Sequence, residues 1–465
     1  MMKEWVKRKR KGDRFIFWIR KINLSPFLKI SSFFLFCLLI LSIGISGCSS
    51  NSSPVWTIMV YMAGDNDLSS SILSDFGEME AAGSTGLVNV VVQIDTYGGT
   101  TKRLLVKRGQ SLLLDDLGEQ NMASPQTLKD FVIWAKGHYP ASRYALILSS
   151  HGDGLAKRLP GPPMERIQQR ILQDDTDGVR CCLANALVQQ ALEDTGIYFD
   201  ILGFDASQMG QIETAYEFRN LSDVLIFSQE TGQANGWDYT AILNGLEKNP
   251  LMRGDALAKL IVDSYRSFYE GIFYPENNTP VEGRYLTISS IRLGSSINQL
   301  AFEIDNLSGL LMAGLTGDDA ETRGLLLDAI GEARDQAGEL KLNSLTAPYV
   351  YVDLFDLMNK LMDSLKKRET GNSPFQIIEV DKKIETIITL KDKVILSEYH
   401  GVARPNAHGL SLTFFKLPEA LQYQHYYEIS RLFDPYTGEG SQVQFFHDTR
   451  WDEFLKTYYQ KAGLL

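Results

Sequence analysis

Residues 199–229 decide the fold, and they read FDILGFDASQMGQIETAYEFRNLSDVLIFSQ. Residues 200–204 form a short, mostly apolar run of strand length, and residues 224–228 form a second. Between them, Met209, Ile212 and Tyr216 recur at the spacing of one helical face. A strand, a tight turn, a helix and a strand make a βαβ unit, which joins parallel strands. The stretch therefore predicts an α/β fold built on a parallel sheet.

A second strand end lies upstream of this unit. Residues 144–148 read YALIL and lead into Ser-Ser-His-Gly-Asp-Gly at 149–154. His151 therefore follows one predicted strand, and Ser207 lies in the Asp-Ala-Ser turn that follows another. The carboxyl ends of parallel strands meet at one edge of an open sheet, where α/β proteins place their sites. We therefore expect the imidazole of His151 and the hydroxyl of Ser207 to lie close together.

These motifs resemble those of the clostripain family of cysteine endopeptidases, in the larger group that includes caspases and gingipains. The family's His-Gly strand end is similar to His151-Gly152. Its Phe-Asp-Ala-Cys-x-Met turn is similar to residues 204–209, except that Ser207 stands at the position of the catalytic cysteine. The resemblance covers roughly residues 55–460, and further similar segments follow in the family's order at 56–67, 174–176, 213–217, 228–231, 236–239, 409–411 and 448–458.

The resemblance implies the architecture of the whole chain. It implies an α/β fold with a caspase-like open, mostly parallel sheet and helices on both faces, plus a C-terminal α/β extension. We expect the peptidase-like core at residues 55–250 and the extension, packed on the core, at residues 251–465. Apolar runs predict strands at 56–61 and 87–95, and residues 103–114 predict a hairpin. Ser124 is predicted to cap a helix that begins with Pro125 and ends near His138.

The first 47 residues have the composition of an export signal. Residues 1–29 carry ten Lys or Arg and two acids, residues 32–47 are apolar or small, and Ile-Ser-Gly-Cys at 45–48 resembles a lipobox. The pattern predicts a lipoprotein signal peptide at 1–47, lipidation of Cys48 and a polar tether at 48–54. The alternative is an uncleaved membrane anchor, although a span needs about 20 residues. Either way we expect an exported bacterial protein of the cell envelope, at the outer membrane or the cell surface.

Charge and cysteine content restrict the partners. Without the signal, 36 of the 46 basic and 55 of the 57 acidic residues remain, a net charge of −19 that repels nucleic acid and anionic lipid. Cys181 and Cys182 are adjacent, a spacing that seldom forms a disulfide, and they open an apolar helical pattern over 182–192. We interpret both as core residues, with a substitute nucleophile or a metal ligand as the alternative. The sequence has no His residues at the spacing that metal ligands need, so it gives no indication of a metal site.

The serine at position 207 changes the chemistry that the resemblance implies. In the family, a thiolate attacks the peptide carbonyl, and a thiol ionises readily beside an imidazole. A serine hydroxyl instead needs a base that is oriented by an acid, and Asp65 and Asp153 are the nearest candidates for that acid. The backbone N–H groups of Gly152 and Ser207 are the expected oxyanion hole.

Two functions therefore stay open, beside an unrelated use of the same scaffold. One is a membrane-anchored peptidase that uses His151 and Ser207 and, as the resemblance implies, cleaves after Arg or Lys. The other is a catalytically inactive pseudopeptidase that binds peptides or proteins in the cell envelope. Acids line the specificity pocket in the family, and Asp205 and Asp238 are the candidates here. Capping of the following helix is the alternative role for Asp205. The expected partner in either case is a peptide or protein, with a basic one favoured.

Acidic residues near two strand ends raise further alternatives. Residues 174–178 read DDTDG, but Gln173 and Ala184 stand where an EF-hand places its first ligand and its bidentate Glu. The sequence itself thus requires no cofactor, and calcium is implied only by the resemblance; an acidic cluster at a helix N-terminus is the alternative. Asn66 or Asp67 is predicted either to cap a helix that runs to about Ala82 or to line the rim of the site.

Overall fold

The computed structural model describes residues 53–154, 170–175, 181–232, 235–271, 284–340, 351–368, 375–414 and 443–464. From Ser53 to Leu465 the chain forms one compact unit. The predicted signal peptide, the tether up to Ser52 and Cys48 lie outside the described residues.

The strands follow one another along the chain, and most of them belong to one central sheet. They are β1 (Trp56–Gly64), β2 (Val88–Thr96), β3 (Lys102–Leu105), β4 (Leu112–Asp116), β5 (Arg143–Ser149), β6 (Gly152–Gly154), β7 (Arg170–Asp174), β8 (Cys181–Ala184), β9 (Phe199–Asp205), β10 (Ser222–Phe227), β11 (Thr287–Arg292), β12 (Glu339–Leu340), β13 (Tyr351–Asp353), β14 (Ile395–His400) and β15 (Ser411–Thr413).

The central sheet has nine strands in the order β14-β11-β10-β9-β5-β1-β2-β3-β4. The five strands β10, β9, β5, β1 and β2 run parallel to one another. The strands at both edges pair antiparallel: β3 and β4 on one side, β11 and β14 on the other. The predicted open α/β sheet is confirmed, and so is the hairpin predicted at 103–114, which supplies β3 and β4.

The parallel strands are mostly apolar, because both of their faces are covered. In β1, Ile58 and Val60 pack into one hydrophobic core, while Met59 and Tyr61 pack into the other. A strand that is buried on both sides reads as a continuous apolar run instead of an alternating one. Each such fully buried side chain contributes about 1.5–3 kcal/mol to the free energy of folding.

Helices cover both faces, as predicted. They are α1 (Ser69–Ala82), α2 (Pro125–His138), α3 (Asn185–Glu193), α4 (Ile212–Glu217), α5 (Tyr239–Lys248), α6 (Gly254–Gly271), α7 (Ser295–Thr316), α8 (Ala320–Gln336), α9 (Leu354–Lys366), α10 (Phe375–Thr389), α11 (Lys391–Val394), α12 (Gln444–Asp448) and α13 (Trp451–Lys461). Helices α1, α5 and α6 pack on one face of the sheet. The core on the other face includes α2, α3, α4, α7 and most of the later helices.

Residues beyond position 250 contribute to the central sheet and to its surroundings. They supply β11 and β14 at one edge of the sheet. A smaller sheet of β12, β13 and β15 lies nearby, and a bridge between Gln211 and Ser411 connects it to the segment before α4. The division at residue 250 stays a prediction.

Two predicted helices begin later than expected, and of the two roles left open for Asn66 or Asp67, Asp67 takes the place at the rim. The helix expected over 182–192 begins only at Asn185, because Cys181–Ala184 pairs with β7 as strand β8. The helix expected from Met209 begins at Ile212, since the chain first completes a turn. Helix α1 has Leu68 at its N-cap, so Asp67 does not cap it, while Oδ1 of Asn66 accepts a hydrogen bond from the N–H of Leu68.

Candidate active site

Three neighbouring parallel strands end at the same edge of the sheet and bring three polar side chains together. Strand β5 lies between β1 and β9. Asp67 follows the end of β1 by three residues, while His151 and Ser207 follow the ends of β5 and β9 by two residues each. The register of the sheet therefore places these residues along one rim, as in other open α/β sheets.

Ser207 lies in a turn whose backbone is strained. Gln208 has a φ of 57°, a left-handed conformation that residues other than glycine rarely adopt. Its N–H donates to the carbonyl oxygen of Glu230 at 2.9 Å. A Cβ atom at Gly152 would lie 2.4 Å from the carbonyl oxygen of Ser207, so the His-Gly strand end approaches this turn as closely as only a glycine permits. Strain of this kind persists where the surrounding structure fixes a functional geometry.

The hydroxyl of Ser207 is oriented by the backbone. Its Oγ accepts a hydrogen bond from the N–H of Gly232 at 3.0 Å. Both Ser207 and His151 line the same pocket, yet no hydrogen bond within the described residues joins the two side chains. The oxyanion hole expected from the N–H groups of Gly152 and Ser207 stays a prediction. The close approach of the two backbones at these residues is consistent with it.

The imidazole of His151 is held by a carboxylate. Its Nε2 lies 2.6 Å from Oδ1 of Asp67. Because an ionised carboxylate only accepts, the imidazole donates through Nε2, and Nδ1 is left as its basic nitrogen. Of the proposed orienting acids, Asp65 was the wrong choice, and the side chain of Asp153 lies outside the described part of the chain. Asp67 takes that place because of the way the chain turns after β1. Burial, and then the charges of Asp174 and Asp175, raise the pKa of the Asp65 carboxyl group.

A pocket of about 190 Å³ opens beside His151 and Ser207. Two acids, Asp75 of α1 and Asp205 at the end of β9, belong to its lining, together with Trp237. Asp205 accepts hydrogen bonds from the backbone N–H of Trp237 at 3.3 Å and from the hydroxyl of Tyr239 at 2.9 Å. It does not cap helix α4, whose N-cap is Gln211.

The prediction that Asp238 is the second acid of the pocket was wrong. Asp238 is the N-cap of α5, where its Oδ1 accepts a hydrogen bond from the N–H of Ala241 at 2.8 Å, and it is not among the residues that line the pocket. Asp75 lines the pocket instead. It was missed, although the sequence carries a signal: Asp75 shares the apolar face of α1 with Ile72 and Met79, where a charged residue is unexpected.

The segment 228–232, which reads SQETG, connects the site to the C-terminal part of the chain. Its Gly232 bonds Ser207, and the buried carboxylate of Glu230 pairs with Arg404. The side-chain amide of Gln229 donates to Oδ2 of Asp353 at 3.0 Å and to Ser411, and its carbonyl accepts from Gly409. The position of the segment next to Ser207 is therefore set by residues 124 to 182 positions downstream.

Metal binding gains no support from the described residues, among which no group of three His, Cys, Asp or Glu side chains could hold an ion. Asp174 ends strand β7 and accepts a hydrogen bond from the N–H of Met122, so it does not lie at a helix N-terminus as the alternative interpretation expected. Residues 176–180 lie outside the described residues. Calcium dependence stays a prediction.

A caspase-like α/β sheet with His151 and Ser207 at adjacent strand ends is the arrangement of a peptidase fold. A model of the clostripain family matches residues 60–458. The chain therefore belongs to the clostripain family. The chain is 27% identical to clostripain of Hathewaya histolytica over 236 residues, which are 43% of this chain and 44% of clostripain. It thus matches less than half of the length of that relative.

Solved structures of similar fold are clostripain-family (C11) proteases. A secreted C11 cysteine protease from Bacteroides thetaiotaomicron, in complex with an irreversible peptide inhibitor, matches with a TM-score of 0.58 and 19% identity, over 88% of this chain and 99% of that one. An inactive zymogen C11 protease from Parabacteroides distasonis matches with a TM-score of 0.55 and 19% identity, over 80% and 96%. At this identity the likeness confirms the caspase-like fold.

A search of the described helices for a membrane-spanning segment found none with the necessary length and apolar character.

Proposed function

We propose that the chain binds a peptide by accepting an arginine or lysine side chain in the pocket beside Ser207. The observation that carries this proposal is the convergence of two carboxylates, Asp75 and Asp205, in a pocket that His151 and Ser207 also line. A guanidinium or ammonium group is the natural partner of two acids in a partly dry pocket. The peptide bond that follows this residue would then lie next to Ser207.

The geometry favours binding over rapid cleavage. The Oγ of Ser207 is engaged by the N–H of Gly232, and it has no hydrogen bond to His151. A serine hydroxyl is a weak nucleophile without a base in contact. A thiol at the same position would ionise far more readily. The proposed role is therefore that of a pseudopeptidase that captures basic peptides.

A serine endopeptidase that cleaves after Arg or Lys is the second candidate, and the 2.6 Å contact between Asp67 and His151 favours it. In this mechanism Oγ of Ser207 bonds to the carbonyl carbon while its proton passes to Nδ1 of His151, which requires closer approach of the two side chains in the peptide complex. The C–N bond then breaks, His151 returns the proton to the leaving amine, and water releases the acyl group. The N–H groups of Gly152 and Ser207 would stabilise the oxyanion, each by about 10²–10³ in rate.

Hydrolysis of fluorogenic Arg and Lys peptides by the full chain separates the candidates. The wild type is compared with Ser207→Cys, Ser207→Ala and His151→Ala, each with and without calcium. A silent wild type with an active Ser207→Cys, whose thiol ionises more readily, supports the binding role with an intact pocket. Wild-type activity that is lost in Ser207→Ala and His151→Ala supports the serine peptidase. Silence of all variants, together with failure to bind an arginine peptide, would reject both.

We also propose that the N-terminus anchors the protein to the cell envelope through a lipid on Cys48. The support is the basic segment, apolar run and lipobox of residues 1–48. Mass spectrometry of protein extracted from bacterial membranes tests this proposal. We expect a diacylglyceryl-modified Cys48 as the first residue and a soluble or unprocessed Cys48→Ser variant; an unmodified wild-type N-terminus would contradict the anchor.

A further inference from the structure

The two pocket acids lie unusually close to each other. A Cβ atom at Gly236, which has a φ of 54°, would lie 2.7 Å from Oδ2 of Asp75 and 2.9 Å from Oδ2 of Asp205. Both carboxylates therefore converge on the same point, which only a glycine leaves free. Hydrogen bonds from Trp237 and Tyr239 support the charge of Asp205.

Asp75 has no comparable support. Its side chain is 3% exposed, and its Oδ1 has no hydrogen-bond partner within the described residues. A buried carboxylate oxygen without a donor is costly as an anion, and it is a natural acceptor for a ligand that brings its own N–H groups. The two acids are therefore asymmetric: the protein stabilises one as an anion and leaves the other for an external partner.

The titratable surroundings make a second anion unfavourable in the empty pocket. Burial, then the charge of Asp205, then that of Glu78 on the same helix raise the pKa of Asp75 to about 9. Burial also raises the pKa of Asp205, to about 6, against the lowering effect of Tyr239. Among the residues that the structure describes, the other titratable groups around the pocket are Tyr239 of α5, Tyr265 of α6, and His151 with its partner Asp67. Among the described lining residues, His151 alone has a basic side chain.

We propose that the pocket is a proton-linked cation site, in which Asp75 carries a proton when the pocket is empty and gives it up when a guanidinium or ammonium group enters. The carboxylic acid of Asp75 loses its proton to solvent, and the resulting carboxylate pairs with the incoming cation, so the occupied pocket carries the same net charge as the empty one and the released proton carries the balancing positive charge. This inference rests on the proposed function and deepens it, because it assigns Asp75 a role in selecting charged over neutral ligands.

Calorimetric titration with benzamidine tests the linkage, since its amidinium keeps its charge across the range studied. The full chain is titrated at pH 7 in buffers of different ionisation enthalpy, which yields the number of protons released on binding. We expect about one proton per benzamidine, and an association constant that rises about tenfold per pH unit from pH 7 to pH 8, where Asp205 is already ionised, the slope that release of one proton requires. Neutral benzamide, of the same shape, is expected to bind weakly and without a proton change.

Two variants keep the outcomes separate. Asp75→Asn should bind benzamidine without proton release, within a few-fold of the wild type at pH 6 and at least about tenfold more weakly at pH 9. Glu80→Gln, which removes an acid of the same helix outside the pocket, should behave as the wild type. Wild-type binding with no proton release, or equal affinity of Asp75→Asn at pH 9, would overturn the linkage and leave the proposed function standing. No binding of benzamidine at any pH would reject the cation pocket itself.

Discussion

Replacing Arg404 by methionine tests how the segment 228–232 is held above Ser207. The guanidinium of Arg404 donates through Nε to Glu230, and the two side chains are 15% and 3% exposed. Methionine keeps an apolar stem of similar length but removes the cation, so the carboxylate of Glu230 loses its charged partner inside the protein. Breaking a buried pair from one side costs about 3–5 kcal/mol. The lost contact of Arg404 with the ring of Tyr285, at 5.0 Å, adds about 0.5–1 kcal/mol.

Urea unfolding at pH 7, followed by tryptophan fluorescence, measures this loss in the free energy of unfolding. Lys259→Met is the matched control, because Lys259 pairs with Asp263 at 2.8 Å on the surface, with side chains 62% and 44% exposed. Such exposed pairs contribute about 0–1 kcal/mol. Adding Glu230→Gln to Arg404→Met should recover part of the loss, since no buried charge then remains. A loss in Arg404→Met no larger than that of the control would refute the reasoning.

Three further predictions concern single positions. Burial raises the pKa of Glu213 to about 7, so the folded protein holds this proton more tightly than the unfolded chain and the wild type loses stability as pH rises from about 4.5 to 7. Glu213→Gln, which still accepts from the N–H of Thr413, should therefore gain up to about 3 kcal/mol over the wild type between pH 5 and pH 8 in urea unfolding; parallel pH profiles would argue against this. Gly236→Ala should abolish benzamidine binding in calorimetry, because its methyl group would meet both pocket acids; an unchanged dissociation constant would be inconsistent with their convergence. Gly77→Ala, at an exposed helical position with open space around its Cβ, should raise the free energy of unfolding by about 0.5–1 kcal/mol, and a decrease would count against helix α1.

The central strands could be predicted because burial on both faces leaves a mark in the sequence. The runs that form β1, β2, β5 and β9 are mostly apolar, and a helix or turn signal follows each of them. The strand ends then follow from topology, which is why His151 and Ser207 could be assigned to one rim before the structure was known. The boundaries of helices and strands near the turns were less predictable, since the backbone conformation of a strained residue such as Gln208 is determined by tertiary contacts and not by local propensity.

The supporting acids could not be assigned in the same way. Asp67 reaches His151 across 84 positions of sequence, and Asp65 and Asp153 carry the same side chain at similar distances from a strand end. Only the path of the turn after β1 distinguishes them. For Asp75 a local signal existed, an acid on the apolar face of a helix, but its meaning depends on Gly236 and Asp205, which come from two other parts of the chain. Asp238 looked equivalent and turned out to cap a helix.

The placement of His151 and Ser207 on separate strand ends has a consequence for how such a protein changes over generations. Their separation is maintained by backbone pairing of β5 with β9 and by buried apolar residues, not by any bond between the two side chains. The scaffold therefore does not depend on which atom, oxygen or sulfur, stands at the tip of residue 207. Exchange of the hydroxyl for a thiol at residue 207 would therefore change the chemistry of the site while the architecture stays intact, so the fold itself sets no barrier to such an exchange in either direction.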